Sequence, residues 1–110
     1  MKKLEEIHIE CSIEKALEII GGKWSFLVIK ELFEGTKRFG ELQRAIPKIS
    51  PKALTDTLRH LEAHNVLTRE TFPTVPVTVE YTLTEKGQSL NKMLKEMKKW
   101  GAQWGKKIEG

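Results

Sequence analysis

The chain has 110 residues, with 19 Lys and Arg against 15 Asp and Glu and a formal net charge of +4. That length suits one domain with a real core, to which a dimer interface would add. A composition 31% charged and 39% apolar is that of a soluble globular protein. No stretch nears the ~20 apolar residues of a membrane span, and Met1-Lys2-Lys3-Leu4-Glu5-Glu6 lacks the apolar segment of a signal peptide. One cysteine rules out an internal disulfide framework and fits a reducing cytoplasm, the expected location. The modest basic excess favours a polyanionic partner without establishing one.

Residues 1–10 carry alternating charge and few core-forming positions, and read as an arm. Ser12 is placed to N-cap a helix over Ile13–Ile20, with Glu14 in the first turn and Ile13, Ala16, Leu17 and Ile20 as its apolar stripe. Gly21-Gly22 ends it. A second helix is predicted from about Lys23 to Glu34. It is apolar nearly all round, which places it at the centre of the fold, and Gly35 closes it. Thr36–Phe39 suits a short strand. Phe39–Ile46 forms a shorter amphipathic helix closed by Pro47, with Lys48-Ile49 as the turn.

Ser50 then caps a helix with Pro51 in its first turn, and Leu54, Leu58 and Leu61 recur at i, i+4, i+7. Lys52, Thr55, Asp56, Arg59 and His60 lie largely off that stripe. Two short helices joined by a tight turn, the second with a polar face of long donors, make a helix-turn-helix. Leu67–Phe72 and Val77–Leu83 are rich in β-branched and aromatic residues. Val77, Val79, Tyr81 and Leu83 alternate with Thr78, Glu80 and Thr82. Pro73-Thr74-Val75-Pro76 between them must be a loop tip, because two prolines remove ladder donors. A hairpin directly after such a helix is a wing.

Thr84 is expected to cap the last helix. Its apolar positions Leu90, Met93, Leu94, Met97, Trp100, Trp104 and Ile108 form a stripe too long for one small core. Gly101 and Ala102 are small enough to let a partner helix approach. The expected fold is therefore α+β and mostly helical, a winged helix-turn-helix whose extra N- and C-terminal helices form a dimer interface. It is one domain over 1–110, with 39–64 as the helix-turn-helix, 67–83 as the wing, and 11–22 and 85–108 as dimerisation helices.

Four blocks make the reading more specific. Ile19-Ile20-Gly21-Gly22-Lys23-Trp24, Arg38-Phe39-Gly40-Glu41-Leu42, Ile49-Ser50-Pro51-Lys52-Ala53-Leu54-Thr55 and Val79-Glu80-Tyr81-Thr82-Leu83-Thr84-Glu85-Lys86-Gly87 resemble the signature blocks of the HxlR family. These are small winged-helix transcriptional regulators of bacteria and archaea. The resemblance runs in register from about Cys11 to Trp104. It implies a sequence-specific regulator that binds double-stranded operator DNA as a homodimer.

On that reading the base-contacting helix offers Ser50, Pro51, Lys52, Thr55, Asp56 and Arg59. Arg59 is suited either to a guanine or to a phosphate, and Ser50 with the free N–H groups of the first turn to a phosphate oxygen. Lys37, Arg38, Arg44 and Lys48 are candidates for flanking phosphate contacts. In the wing only Arg69 is basic. Family members often carry a basic residue where this chain has Thr78, which leaves Thr74 and Thr78 as hydrogen-bonding groups near the tip. The interface candidates are Leu90, Met93, Leu94, Met97, Trp100 and Trp104.

Cys11 immediately precedes a predicted helix start, where free N–H groups and the dipole favour a thiolate. It matches the family's N-terminal cysteine, which several members use to sense quinones, aldehydes or oxidants, although Ser12 stands where many relatives have proline. The resemblance thus implies redox or electrophile sensing at Cys11. A different reading is a protein-interaction module without nucleic-acid affinity, since fold alone does not fix function. Another is a regulator whose small aromatic effector stacks near Trp100 and Trp104. His60 and His64, at i, i+4, with His8 elsewhere, fall short of a closed metal site, so neither metal nor cofactor is expected. Neither G-x-x-x-x-G-K-[ST], G-x-S-x-G nor H-E-x-x-H occurs, and no enzymatic activity is expected.

Overall fold

The computed structural model describes residues 12–106. Helix α1 covers residues 12–20, and α2 covers Lys23–Leu32. The short strand β1, Lys37–Arg38, leads into α3, Phe39–Ala45. Helix α4 spans Pro51–Ala63, followed by the wing strands β2, Leu67–Phe72, and β3, Thr78–Leu83. A one-turn helix α5, Glu85–Gln88, precedes α6, Asn91–Trp104. The sheet is antiparallel in the order β1-β3-β2. Lys37 pairs with Tyr81 and Arg38 with Glu80 on one side of β3, and Leu67 pairs with Leu83 through to Phe72 with Thr78 on the other.

The core lies where α2, α3 and α4 meet the inner face of this sheet. It is built from Val28, Ile29 and Leu32 of α2, Leu42 of α3, Leu54, Leu58 and Leu61 of α4, and Val66, Leu67, Tyr81 and Leu83, all buried. The i, i+4, i+7 leucines of α4 are each at most 2% exposed. Burying each is worth roughly 1.5–3 kcal/mol, so the stripe dominates over helix propensity in fixing α4.

The predicted caps explain the ends of α4. The Ala53 N–H donates to Ser50 Oγ at 3.0 Å with Pro51 in the first turn. At the other end Asn65 adopts a left-handed conformation (φ +60°). The Val66 N–H then donates to Leu61 O (2.9 Å) and the Asn65 N–H to Glu62 O (3.0 Å). This is the double carbonyl closure of a Schellman end, and it turns the chain directly into β2. The turn between α3 and α4 is made by Lys48, also left-handed at φ +67°.

Three boundaries differ from the sequence expectation. Helix α2 stops at Leu32, and Glu34 and Gly35 N–H groups donate to Glu31 and Leu32 carbonyls, a tightened last turn. Strand β3 begins at Thr78, and Val77 is 62% exposed rather than facing inward. Phe72 and Thr78 are the last paired residues, and Pro76 has no N–H to extend the ladder. The long last helix is broken. Thr84 caps only α5, and Leu90, rather than a polar cap, starts α6.

The block Thr84-Glu85-Lys86-Gly87 has a structural reason. The Gly87 N–H donates to Thr84 Oγ1 (3.1 Å), and that oxygen sits 2.6 Å from Asn65 O and 3.1 Å from Val66 O. Lys86 Nζ donates to His64 O at 2.8 Å. The block clamps the end of α4 to the end of the wing, and a Cβ at Gly87 would run into the Val66 carbonyl oxygen.

Candidate nucleic-acid interface

Core burial of the leucine stripe turns the opposite face of α4 outward. Ser50, Pro51, Lys52, Asp56 and Arg59 are exposed and Thr55 is half-buried. Lys52 Nζ lies 2.9 Å from Asp56 Oδ2 across one helical turn. Both ends are solvated, so the pair contributes at most about 1 kcal/mol and is easily exchanged for contacts to DNA. The N-terminus of α4 offers less than the sequence reading expected. Pro51 has no N–H, the Ala53 N–H is taken by Ser50 Oγ and the Leu54 N–H by Ser50 O. The Lys52 N–H is what this turn leaves for a phosphate.

Arg59 borders a recess of about 270 Å³ between α4 and the wing, lined also by Phe39, Thr55, Leu58, Glu62, Arg69 and Tyr81. Arg69 Nε stands 3.6 Å from Glu62 Oε1, whereas Arg59 makes no ion pair among the described residues. Burial pushes the Tyr81 hydroxyl pKa up, against the pull of the Arg69 charge, so it stays neutral at physiological pH. The two guanidiniums thus face a neutral phenol and a carboxylate. Glu62 and Tyr81 were not singled out by sequence reasoning. They are brought to the recess by the packing of α4 on β2, which carries Arg69 beside Glu62, and by the pairing of Arg69 with Tyr81 across the hairpin, for which no local pattern codes.

The flanking cations divide into two kinds. Lys37 Nζ is 3.2 Å from Glu34 Oε2, and Arg38 Nε is 3.8 Å from Glu80 Oε2, its cross-strand partner. Arg44 and Lys48 are exposed and make no ion pair among the described residues. At the wing tip, Thr74 Oγ1 donates to Pro76 O (2.8 Å) and lies 2.8 Å from Thr78 Oγ1, so both hydroxyls are engaged within the loop.

The dimerisation candidates split as well. Leu90 and Leu94 pack on the core. Met93, Met97, Trp100 and Trp104 are 37%, 46%, 67% and 64% exposed, and Ile13 and Leu17 of α1 are 56% and 59% exposed. Cys11, His8 and Ile108 lie outside the described residues. No metal-binding group of three or more acidic, His or Cys residues occurs among the described residues, and no helix there is long and apolar enough to cross a membrane. His60 and His64 stack edge to face at 4.6 Å. Both rings are half-buried rather than free in solvent. His60 Nε2 is 2.9 Å from both Glu18 O and Ile19 O at the end of α1.

The profile of the HxlR-like helix-turn-helix family matches residues 19–109. The chain belongs to the HxlR family. An HTH-type transcriptional regulator of Methanothermobacter thermautotrophicus is 48% identical over 95 residues, 86% of this chain and 72% of that one. The redox regulator HypR in its reduced form superposes with a TM-score of 0.79 at 41% identity, covering 84% of this chain and 91% of HypR. Reduced YodB of Bacillus subtilis gives a TM-score of 0.74, also at 41% identity, with the same two coverages of 84% and 91%. These HxlR-type relatives are transcriptional regulators, not enzymes, and their winged-helix fold is the one described above. The protein is accordingly an HxlR-type transcriptional regulator that binds DNA.

Proposed function

We propose that this regulator binds a palindromic or near-palindromic duplex operator as a homodimer in the cytoplasm. Helix α4 would lie in the major groove, with Lys52, Thr55, Asp56 and Arg59 at base edges or the adjacent backbone, and Arg44 and Lys48 on flanking phosphates. The observation that carries this is the outward face of α4. It holds a loosely paired lysine and a free arginine on a helix whose other face is wholly committed to the core. Lys37, Arg38 and Arg69 each have a carboxylate neighbour, Glu34, Glu80 and Glu62, and like Lys52 would exchange that solvated pair for a phosphate. Thr74 and Thr78 would shape the tip. The exposed stripe of α6, with Ile13 and Leu17 of α1, supports a two-fold interface, since monomers rarely leave so many large apolar side chains in water. Two-fold symmetry sets half-site centres ~10–10.5 bp apart or a multiple of that.

Cys11 is proposed as an oxidant or electrophile sensor. HypR and YodB, two structural neighbours, are known in reduced forms and in oxidised or diamide-treated forms. In this chain the helix that follows Cys11 is tied to α4 by His60.

The test is an anisotropy titration against duplex DNA from the gene's own upstream region at two salt concentrations, with and without diamide, beside Cys11→Ser. Sequence-preferring affinity that falls by ~0.9 log unit per log unit of salt for each phosphate neutralised is expected. Diamide should abolish it only in the wild type. Binding that ignores diamide removes Cys11 as a switch for that signal. Absence of binding at low salt removes the operator reading in favour of a protein partner.

A further inference from the structure

Away from the DNA face, α2 and α6 diverge to leave an open groove of about 470 Å³, within the range of small-ligand sites. Its floor is apolar and partly aromatic, with Phe26 and Phe33 on α2 and the turn after it, and Leu94 and Met97 on α6. Its rim is cationic. Lys30 stands on one wall and Lys95 and Lys98 on the other, and none of the three makes an ion pair among the described residues. The one carboxylate on the rim, Glu34, is held by Lys37 at 3.2 Å. An anion entering the groove would meet unpaired ammonium groups on both of its walls. Two phenyl rings in the floor suit a flat hydrocarbon body.

We infer that this groove binds an aromatic carboxylate, ring against Phe26 and Phe33 and carboxylate toward Lys95 and Lys98. A neutral aromatic would leave the lysines of the rim unused. Met97 belongs both to the groove and to the exposed stripe of Met93, Trp100 and Trp104. A ligand seated here therefore abuts the proposed dimer interface and would shift operator affinity. That regulatory consequence rests on the function proposed above, whereas the binding itself does not.

The experiment is calorimetric titration of the full chain with 1-naphthoate and with its neutral amide, on wild type, Lys95→Glu/Lys98→Glu and Lys52→Glu. Saturable binding of one naphthoate per chain is expected, weakened about tenfold or more by the double charge reversal and by the amide, which is at least 1.4 kcal/mol at the tenfold bound. Lys52→Glu, on the DNA face, should bind naphthoate as the wild type does. Backbone amide NMR shifts at Lys30, Phe33 and Leu94 should move with saturation. Equal binding of acid and amide, or an unchanged affinity in the charge reversal, overturns the inference. So does the absence of saturable binding to folded protein, including the case where Phe33→Arg yields monomers and the groove proves to hold a second copy. Anisotropy on the same preparation keeps the two readings apart. Protein that binds DNA but not naphthoate refutes only the groove, and protein that binds naphthoate but no DNA refutes only the operator reading.

Discussion

Gly87→Ala is expected to be the most damaging one-methyl change in the described fold. The added Cβ would overlap the Val66 carbonyl oxygen and crowd Leu83 Cδ2 at 2.9 Å and Leu83 Cβ at 3.2 Å. The Val66 oxygen cannot swing aside. It is backbone, it accepts from the Thr84 N–H at 3.0 Å, and its neighbours are pinned by Thr84 Oγ1 and Lys86 Nζ. Overpacking typically costs 1–3 kcal/mol, and a rigid obstacle puts this case at the upper end, about 3 kcal/mol. A domain of this size has ~5–15 kcal/mol in total. The variant should therefore fold at 25 °C, with its urea midpoint lowered and its m-value unchanged. Gly40→Ala in α3 is the control, because its Cβ would meet only the mobile end of Arg44 at 3.4 Å. It should stay within about 1 kcal/mol of wild type. Both are to be compared at equal protein concentration, since association adds to apparent stability. A Gly87→Ala loss no greater than that of Gly40→Ala would refute the view that this block is a steric clamp.

Trp100→Glu should give monomers in sedimentation velocity. A Trp 67% exposed offers on the order of 100–170 Å² to a partner, about 2.5–4 kcal/mol per protomer before ordering costs. A variant that stays dimeric would move the interface to α1. Lys48→Gly should act in opposite directions on two readouts. Relief of the left-handed backbone at φ +67° should raise stability by about 1 kcal/mol, while loss of an unpaired cation should reduce the salt slope of DNA binding by ~1. His60→Ala should cost about 0.5–1.5 kcal/mol for the lost hydrogen bond to α1. His60→Gln, which keeps a donor, should recover part of that in the same melts.

The secondary-structure plan was largely legible because each element carries its own punctuation. Ser50-Pro51 opens α4 and Leu54, Leu58 and Leu61 aim it, while the prolines at 73 and 76 isolate the wing strands. The break between α5 and α6 was not legible. Leu90 continues the apolar stripe, but the clamp of Thr84 to Gly87 fixes where the chain leaves the sheet, and the long helix must start again from there. The site was legible in its membership and not in its pairing. The sequence marks Lys37, Arg38, Arg44 and Lys48 as equivalent cations, and only the fold shows that the first two already face Glu34 and Glu80. Partners 42 residues apart, as in Arg38–Glu80, leave no periodic trace.

The same blindness hid the contact that ties α1 to α4, the helix proposed to read DNA. Two carbonyl oxygens 2.9 Å from one imidazole nitrogen are both acceptors, so His60 Nε2 must carry the proton and donate to them. Those carbonyls belong to the last turn of α1, where the dipole is negative and a donor is favoured. His60 is on α4, one residue beyond Arg59 and four beyond Asp56. A rotation of α1 imposed by a change at the proposed subunit interface would therefore pull on the last turn of α4, next to Arg59 of the proposed reading face, without first disturbing the leucine core. A hydrogen bond of about 1 kcal/mol transmits no more than that, roughly a fivefold change in affinity. In the proposed dimer, any larger response to an effector would have to come from a change in the spacing of the two α4 helices rather than from tilting one of them.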